Sequence, residues 1–100
     1  MFITTLDANV EPDKWDELKV NYGKLTETVP TQIVQTLLTQ NAQENNAWKL
    51  IAIWRSKAEL MEYRKAAQKP TPEGILLFRS VGAEPVSSLS DVRGNSKYNP

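Results

Sequence analysis

The side chains of this 100-residue chain best suited to act on a ligand are a few aromatics and arginines. Trp54 stands where a strand gives way to a helix, so its rigid indole either stacks on a flat ligand or fills core at that seam. Tyr22 and Tyr63 each carry a hydroxyl able to donate a hydrogen bond to a ligand; the plainer role is a packed ring with its hydroxyl in water. Arg79 and Arg55 can hold a carboxylate or oxyanion through paired N–H groups, or stand as solvated surface cations. Asp7 could serve as a base, but nothing in the sequence places a partner beside it. Lys57, Glu59, Glu62 and Lys65 read as an ordinary solvated helix face.

What is missing narrows the chemistry further. The chain has no histidine, which removes the commonest general base and the commonest transition-metal ligand. It has no cysteine, hence no disulfide frame and no thiolate nucleophile. No nucleophile–base pair, carboxylate pair, glycine-rich phosphate loop or metal-ligand cluster is visible, so the spacing assigns no catalytic residue and no metal site. Twelve basic and twelve acidic residues balance, and no basic block could follow a row of phosphates, which argues against nucleic acid. No apolar run approaches the ~18 residues of a membrane span, and the opening MFITTLDANV alternates like a strand; neither signal peptide nor membrane association is expected, and the cytoplasm is the expected location.

The elements that must position these side chains follow in order. Phe2 to Val10 alternates as a two-faced strand. Pro12 suits the first turn of a helix that carries Trp15, Leu18, Tyr22 and Leu25 on one face and is expected to run through Gly23 to about Thr28. Ile33 to Gln40 reads as a second strand, Asn41 to Asn46 as a turn, and Ala47 to Trp54 as a third, buried strand antiparallel to the second. On the third strand Trp48, Leu50, Ala52 and Trp54 share one face and Lys49, Ile51 and Ile53 the other. Ser56 and Glu59 form the S-x-x-E pattern of a capping box, which opens a second helix with Leu60, Tyr63 and Ala67 along its inner face.

After Gln68 to Gly74, with Pro70 and Pro72, the segment Ile75 to Val81 is ambiguous between strand and helix. Thr71 as a cap, Pro72 as first helical residue and Gly82 as terminator point to a short helix. Val86 to Val92 reads as a last, edge strand, and residues 94–100 as a loose tail after a single domain spanning 1–93. The resulting order predicts an α+β, ferredoxin-like βαββαβ fold with two main helices on one face of a four-stranded antiparallel sheet. The other sheet face is apolar and bare, and a second copy packed face to face, a homodimer, is the simplest cover.

With these elements in place the chain resembles the antibiotic biosynthesis monooxygenase-like group of the dimeric α/β-barrel superfamily. The resemblance rests on Trp54-Arg55-Ser56, which matches the family's W-x-S junction, and on length, element order and the proline that opens the first helix. It implies two sheets packed as a dimeric barrel and a pocket between sheet and helices to which Trp54 would belong. It further implies a cofactor-independent monooxygenase acting on a small aromatic phenol or quinol, with no cofactor. Haem-degrading relatives pair this tryptophan with a first-strand asparagine and a second-helix histidine. Thr4, Thr5 and Leu6 supply no such asparagine (Asn9 lies nearer the strand end), and no histidine exists, so haem degradation is disfavoured. A non-catalytic binder using the same cavity, and a structural dimer whose pocket its own side chains fill, are the alternatives.

Overall fold

The structure, a computed structural model, describes residues 1–67 and 71–96. The expected tail at 97–100 and the linker at 68–70 lie outside the described residues. β1 (Phe2–Asn9) leads into a 3-10 turn at Pro12–Lys14, and α1 (Trp15–Leu25) follows, continued by a second such turn at Thr26–Thr28. The helical run therefore passes Gly23 and reaches Thr28, as its periodicity requires. The Trp15 indole N–H donates to the Val10 carbonyl at 2.8 Å and ties the helix start to the strand it leaves. Val29 is extended, with φ −72° and ψ 131°, as a residue before proline should be.

β2 (Ile33–Gln40) and β3 (Ala47–Trp54) form the expected hairpin. Its turn is held by the Asn41 side chain, whose Oδ1 accepts the backbone N–H groups of Gln43 and Glu44 at 2.8 and 2.9 Å. α2 (Lys57–Ala67), α3 (Glu73–Arg79) and β4 (Val86–Asp91) complete the chain. The four strands lie in the order β2-β3-β1-β4, every neighbouring pair antiparallel, which is the ferredoxin-like βαββαβ arrangement with α3 inserted before β4.

Three local expectations are corrected. Only one arm of the capping box forms: Ser56 Oγ accepts the Glu59 N–H at 3.1 Å, whereas the Glu59 carboxylate reaches Arg55 Nε at 3.8 Å. At α3 Thr71 does not cap and Pro72 is not yet helical. Pro72 is itself the N-cap, with φ −57° and ψ 145°, and its carbonyl accepts from Ile75 and Leu76 at 3.1 and 3.2 Å. The helix thus begins at Glu73, one residue after the proline expected to open it, and ends at Arg79, two residues before Val81. Gly82 closes it at φ +77°: its N–H bonds the Arg79 carbonyl at 3.0 Å while that of Ala83 bonds Phe78 at 3.0 Å, a Schellman closure. Finally, β4 stops at Asp91, and Val92 contributes only a bond from its N–H to the Met1 carbonyl at 3.1 Å.

Register decides which side chains the helices cover. Phe2, Thr4, Leu6 and Ala8 stand opposite Trp54, Ala52, Leu50 and Trp48, and these eight share the helix side of the sheet. Two separate apolar clusters result. One joins Ala8, Val10, Trp48 and Leu50 to Leu18 of α1 and to Leu77 and Phe78 of α3; the other is Phe2, Trp54 and Leu60 of α2. Ile3, Leu37, Ile51 and Ile53 belong to the opposite face, which no helix covers. Among the described residues no helix is long and apolar enough to cross a membrane.

Candidate active site

The core is split because one cross-strand row carries small side chains on three of its four strands. Thr36, Ala52, Thr4 and Leu89 are aligned across β2, β3, β1 and β4. The row on one side of it carries Leu38, Leu50 and Leu6, and the row on the other carries Ile33, Trp54 and Phe2. Large residues fill the space under the helices at both ends, and the middle stays open. The result is a cavity of about 460 Å³ between the sheet and the three helices. That volume lies in the ordinary range for small-molecule pockets, ~300–1,000 Å³.

Its walls come from every helix. Tyr22 and Leu25 arrive from α1, Leu60, Tyr63 and Arg64 from α2, and Glu73, Gly74 and Ile75 from the start of α3. Gly74 lets α3 lie close on the sheet, since a Cβ there would sit 2.8 Å from Leu6 Cδ1 and 2.9 Å from Leu50 Cδ2. Trp54 is buried, 6% exposed, and its ring lies 5.6 Å from that of Tyr63 at 41°, giving the cavity an aromatic wall. The Trp54 indole N–H donates to Thr4 Oγ1 at 3.1 Å. Across the floor, the Tyr22 hydroxyl and Thr36 Oγ1 are hydrogen-bonded at 2.5 Å. The Trp54 indole and the Tyr22 hydroxyl are thus anchored on floor threonines.

Of the residues singled out by type, Trp54, Tyr63 and Tyr22 line the cavity together. Arg79 does not. It points from the far end of α3 to Glu84, with Nε and Nη2 donating to the carboxylate at 3.0 and 2.8 Å. These bonds hold Glu84 below the usual carboxylate range, against the raising effect of desolvation, and raise Arg79 further. Arg55 is likewise committed elsewhere, to the Thr31 carbonyl and to Glu59. Asp7 belongs to the uncovered face, 3.6 Å from Lys49 Nζ, so it faces away from the cavity. Sequence reasoning passed over Thr4, Thr36 and Arg64. A signal was available for Thr4, the one polar residue among Phe2, Thr4, Leu6 and Ala8 on the inward face of β1, whereas Thr36 shares its face with Gln40 and was marked only by register. Among the described residues, no group of three or more acidic, histidine or cysteine side chains gathers to hold a metal ion.

Comparison with known proteins places this architecture. No family model and no curated protein sequence matches the chain. Solved structures do. A Deinococcus radiodurans protein whose name assigns it to the antibiotic biosynthesis monooxygenases superposes with a TM-score of 0.69 over 100% of both chains, at 8% identity. The chain has the antibiotic biosynthesis monooxygenase fold. A second antibiotic biosynthesis monooxygenase matches with TM-score 0.66 and 15% identity, over 94% of this chain and 100% of the other. SnoaB from Streptomyces nogalater, named a cofactor-independent oxygenase, matches with TM-score 0.67 and 17% identity over 94% and 95% of the two chains. In this chain the antibiotic biosynthesis monooxygenase fold carries an aromatic-walled cavity with a hydroxyl-bearing floor.

Proposed function

We propose that the chain is a cofactor-independent monooxygenase acting on a small phenol or quinol. The observation that carries this reading is the cavity itself: open, flanked by the Trp54–Tyr63 pair, and floored by hydroxyl groups in a mostly apolar surround. A flat ring can stack on such a wall, and hydroxyl donors favour the ionised form of a bound phenol. In this reading the substrate supplies the electrons. Its phenolate reduces oxygen, one oxygen atom joins the ring carbon that becomes a carbonyl, and the other leaves as water with the one hydrogen lost from that carbon and the proton given up by the phenol. SnoaB supports the reading by its shared fold and its printed activity.

A non-catalytic binder is the second reading. It is favoured by the sparseness of acid–base groups on the lining, where Glu73 is the one carboxylate among the described residues. Oxygen uptake separates the two. The monooxygenase consumes oxygen with simple quinols above the buffer rate in chelated, flavin-free solution, and uptake that stays at the buffer rate for every quinol that binds leaves the binder.

The same reading includes a homodimer through the uncovered sheet face. Leu37 is 40% exposed there and lies opposite Ile51, beside Ile3 and Ile53. Burying ~600 Å² of apolar surface at ~25 cal/mol per Å² contributes a gross ~15 kcal/mol before association costs. Leu37→Asp is expected to give a monomer by sedimentation where the parent is dimeric, whereas Leu38, on the helix side, would unfold the subunit instead. A parent that sediments as a monomer at micromolar concentration overturns the dimer.

A further inference from the structure

We infer that Arg64 is the anion anchor of the cavity, and that the ligand is an acid: an apolar body with a carboxylate at the edge facing β4. The inference rests on the small-ligand reading above for an occupant of the cavity, and on charge and geometry for the acid. Four arginines occur in the chain. Three are paired with carboxylates: Arg55 with Glu59, Arg79 with Glu84 and Arg93 with Asp91, at 3.8, 2.8 and 3.4 Å. Among the described residues Arg64 has neither an ion pair nor a hydrogen-bond partner, and it is the one cation on the cavity lining.

A solvated guanidinium needs no partner, so position carries the assignment. Tyr63 and Arg64 are consecutive on α2 and leave the helix ~100° apart. Leu60, one turn before Arg64, is buried against Phe2 and Trp54 and marks the side of α2 that faces the sheet. Tyr63 turns from that side toward β3 and β2, where it meets Trp54 in the cluster shared with Ile33 and Ala52. Arg64 turns the other way, toward β4. The cavity opens there. All six residues of β4 are exposed, and Leu89, which register puts on the helix side opposite Thr4, is 50% exposed although it lines the cavity. Arg64 thus overhangs the mouth, and Ser87, on the helix side opposite Leu6, offers a second donor from the sheet. An apolar body seated against the Trp54–Tyr63 wall displaces water from this mouth, and an ion pair strengthens as the local dielectric falls. A guanidinium takes a carboxylate through two parallel N–H groups, which fixes the ligand's direction, ring toward Trp54 and acid toward β4.

The test uses 2-naphthoate and 2-naphthamide as probes, which share ring and outline and differ in charge. Titrated by calorimetry at neutral pH, the parent is expected to bind naphthoate about three- to tenfold more tightly, the worth of one partly exposed ion pair. That margin should shrink as salt rises. Repulsion from Glu73, the lining's carboxylate, falls alike on the parent and on every Arg64 variant, so the comparison reads Arg64. Arg64→Gln should abolish the preference while naphthamide affinity and melting temperature stay as in the parent, because the side chain is exposed and unpartnered. Arg64→Lys keeps the charge without the fork and should keep a reduced preference. A parent that binds neither probe or binds both alike, or an Arg64→Gln variant that still prefers naphthoate, overturns the inference. The outcome is independent of turnover. An acid preference set by Arg64 without oxygen uptake sinks the oxygenase and keeps the anchor; quinol oxidation without acid preference does the reverse.

Discussion

Ala52 is the residue through which the cavity can be tested without any ligand. It sits on the helix side of β3 between Thr4 and Thr36 and forms the floor of the 460 Å³ space. In a close-packed core, replacing alanine by leucine costs ~1–3 kcal/mol, because the added carbons force neighbours off their rotamers. Here they project into open volume. Three added carbons at ~0.8 kcal/mol each contribute a gross ~2 kcal/mol, offset by ~0.5–1 kcal/mol of side-chain entropy. Ala52→Leu is therefore expected to stabilise the fold by ~1 kcal/mol. For a domain of this length that raises the melting temperature by roughly 4–8 °C, measured at one fixed protein concentration because an oligomer's Tm depends on it. The same leucine covers both floor hydroxyls, so quinol binding should disappear while stability rises. A melting temperature lowered by several degrees would mean that the space above Ala52 is filled in solution. That result removes the cavity and the functional reading built on it.

Trp54 tests the wall in place of the floor. Trp54→Phe keeps a ring but loses the N–H bond to Thr4, so it should cost ~1–2 kcal/mol and weaken quinol binding, while Trp54→Ala should cost ~3–5 kcal/mol. Melting curves beside ligand titrations check both, and unchanged ligand affinity in the Phe variant reduces Trp54 to core packing. The glycines give an opposed pair. Gly82→Ala should destabilise by ~1–2 kcal/mol through its φ of +77° alone, because nothing lies near the added Cβ, whereas Gly23→Ala, in α1 with equally open space, should stabilise by up to ~1 kcal/mol in chemical denaturation. For Glu84, whose folded pKa is lowered by Arg79, the pair's contribution is present above the ordinary carboxylate range and is lost as pH falls through the lowered value. Glu84→Gln should flatten that part of the acid limb of Tm against pH, and an acid limb identical to the parent's shows that the pair contributes nothing.

Short-range patterns in the sequence were enough to determine the elements and their order. Alternation marked β1, a near-continuous apolar run marked β3, the 3.6-residue spacing of Trp15, Leu18, Tyr22 and Leu25 marked α1, and Ser56 and Gly82 marked a helix start and a helix end. Each signal acts over a few residues through backbone sterics or a local hydrogen bond, so it is written in a few residues. That one apolar sheet face would lie bare was legible for the same reason, since period-two geometry separates Ile51 and Ile53 from Trp54, but which of the two faces the helices cover was decided by the tertiary structure. Side-chain direction at the helix ends was not legible. Arg79 looked as able to hold an anion as any arginine, and only the turn after α3 brought Glu84 within 2.8 Å to take it. The cavity was least legible of all, because it is missing volume. Thr4, Thr36 and Ala52 are ordinary strand residues, 32 and 16 positions apart along the chain, and nothing local marks them as neighbours. Register across three strands puts them in one row of small side chains between two rows of large ones, and that row becomes a pocket once three helices span it.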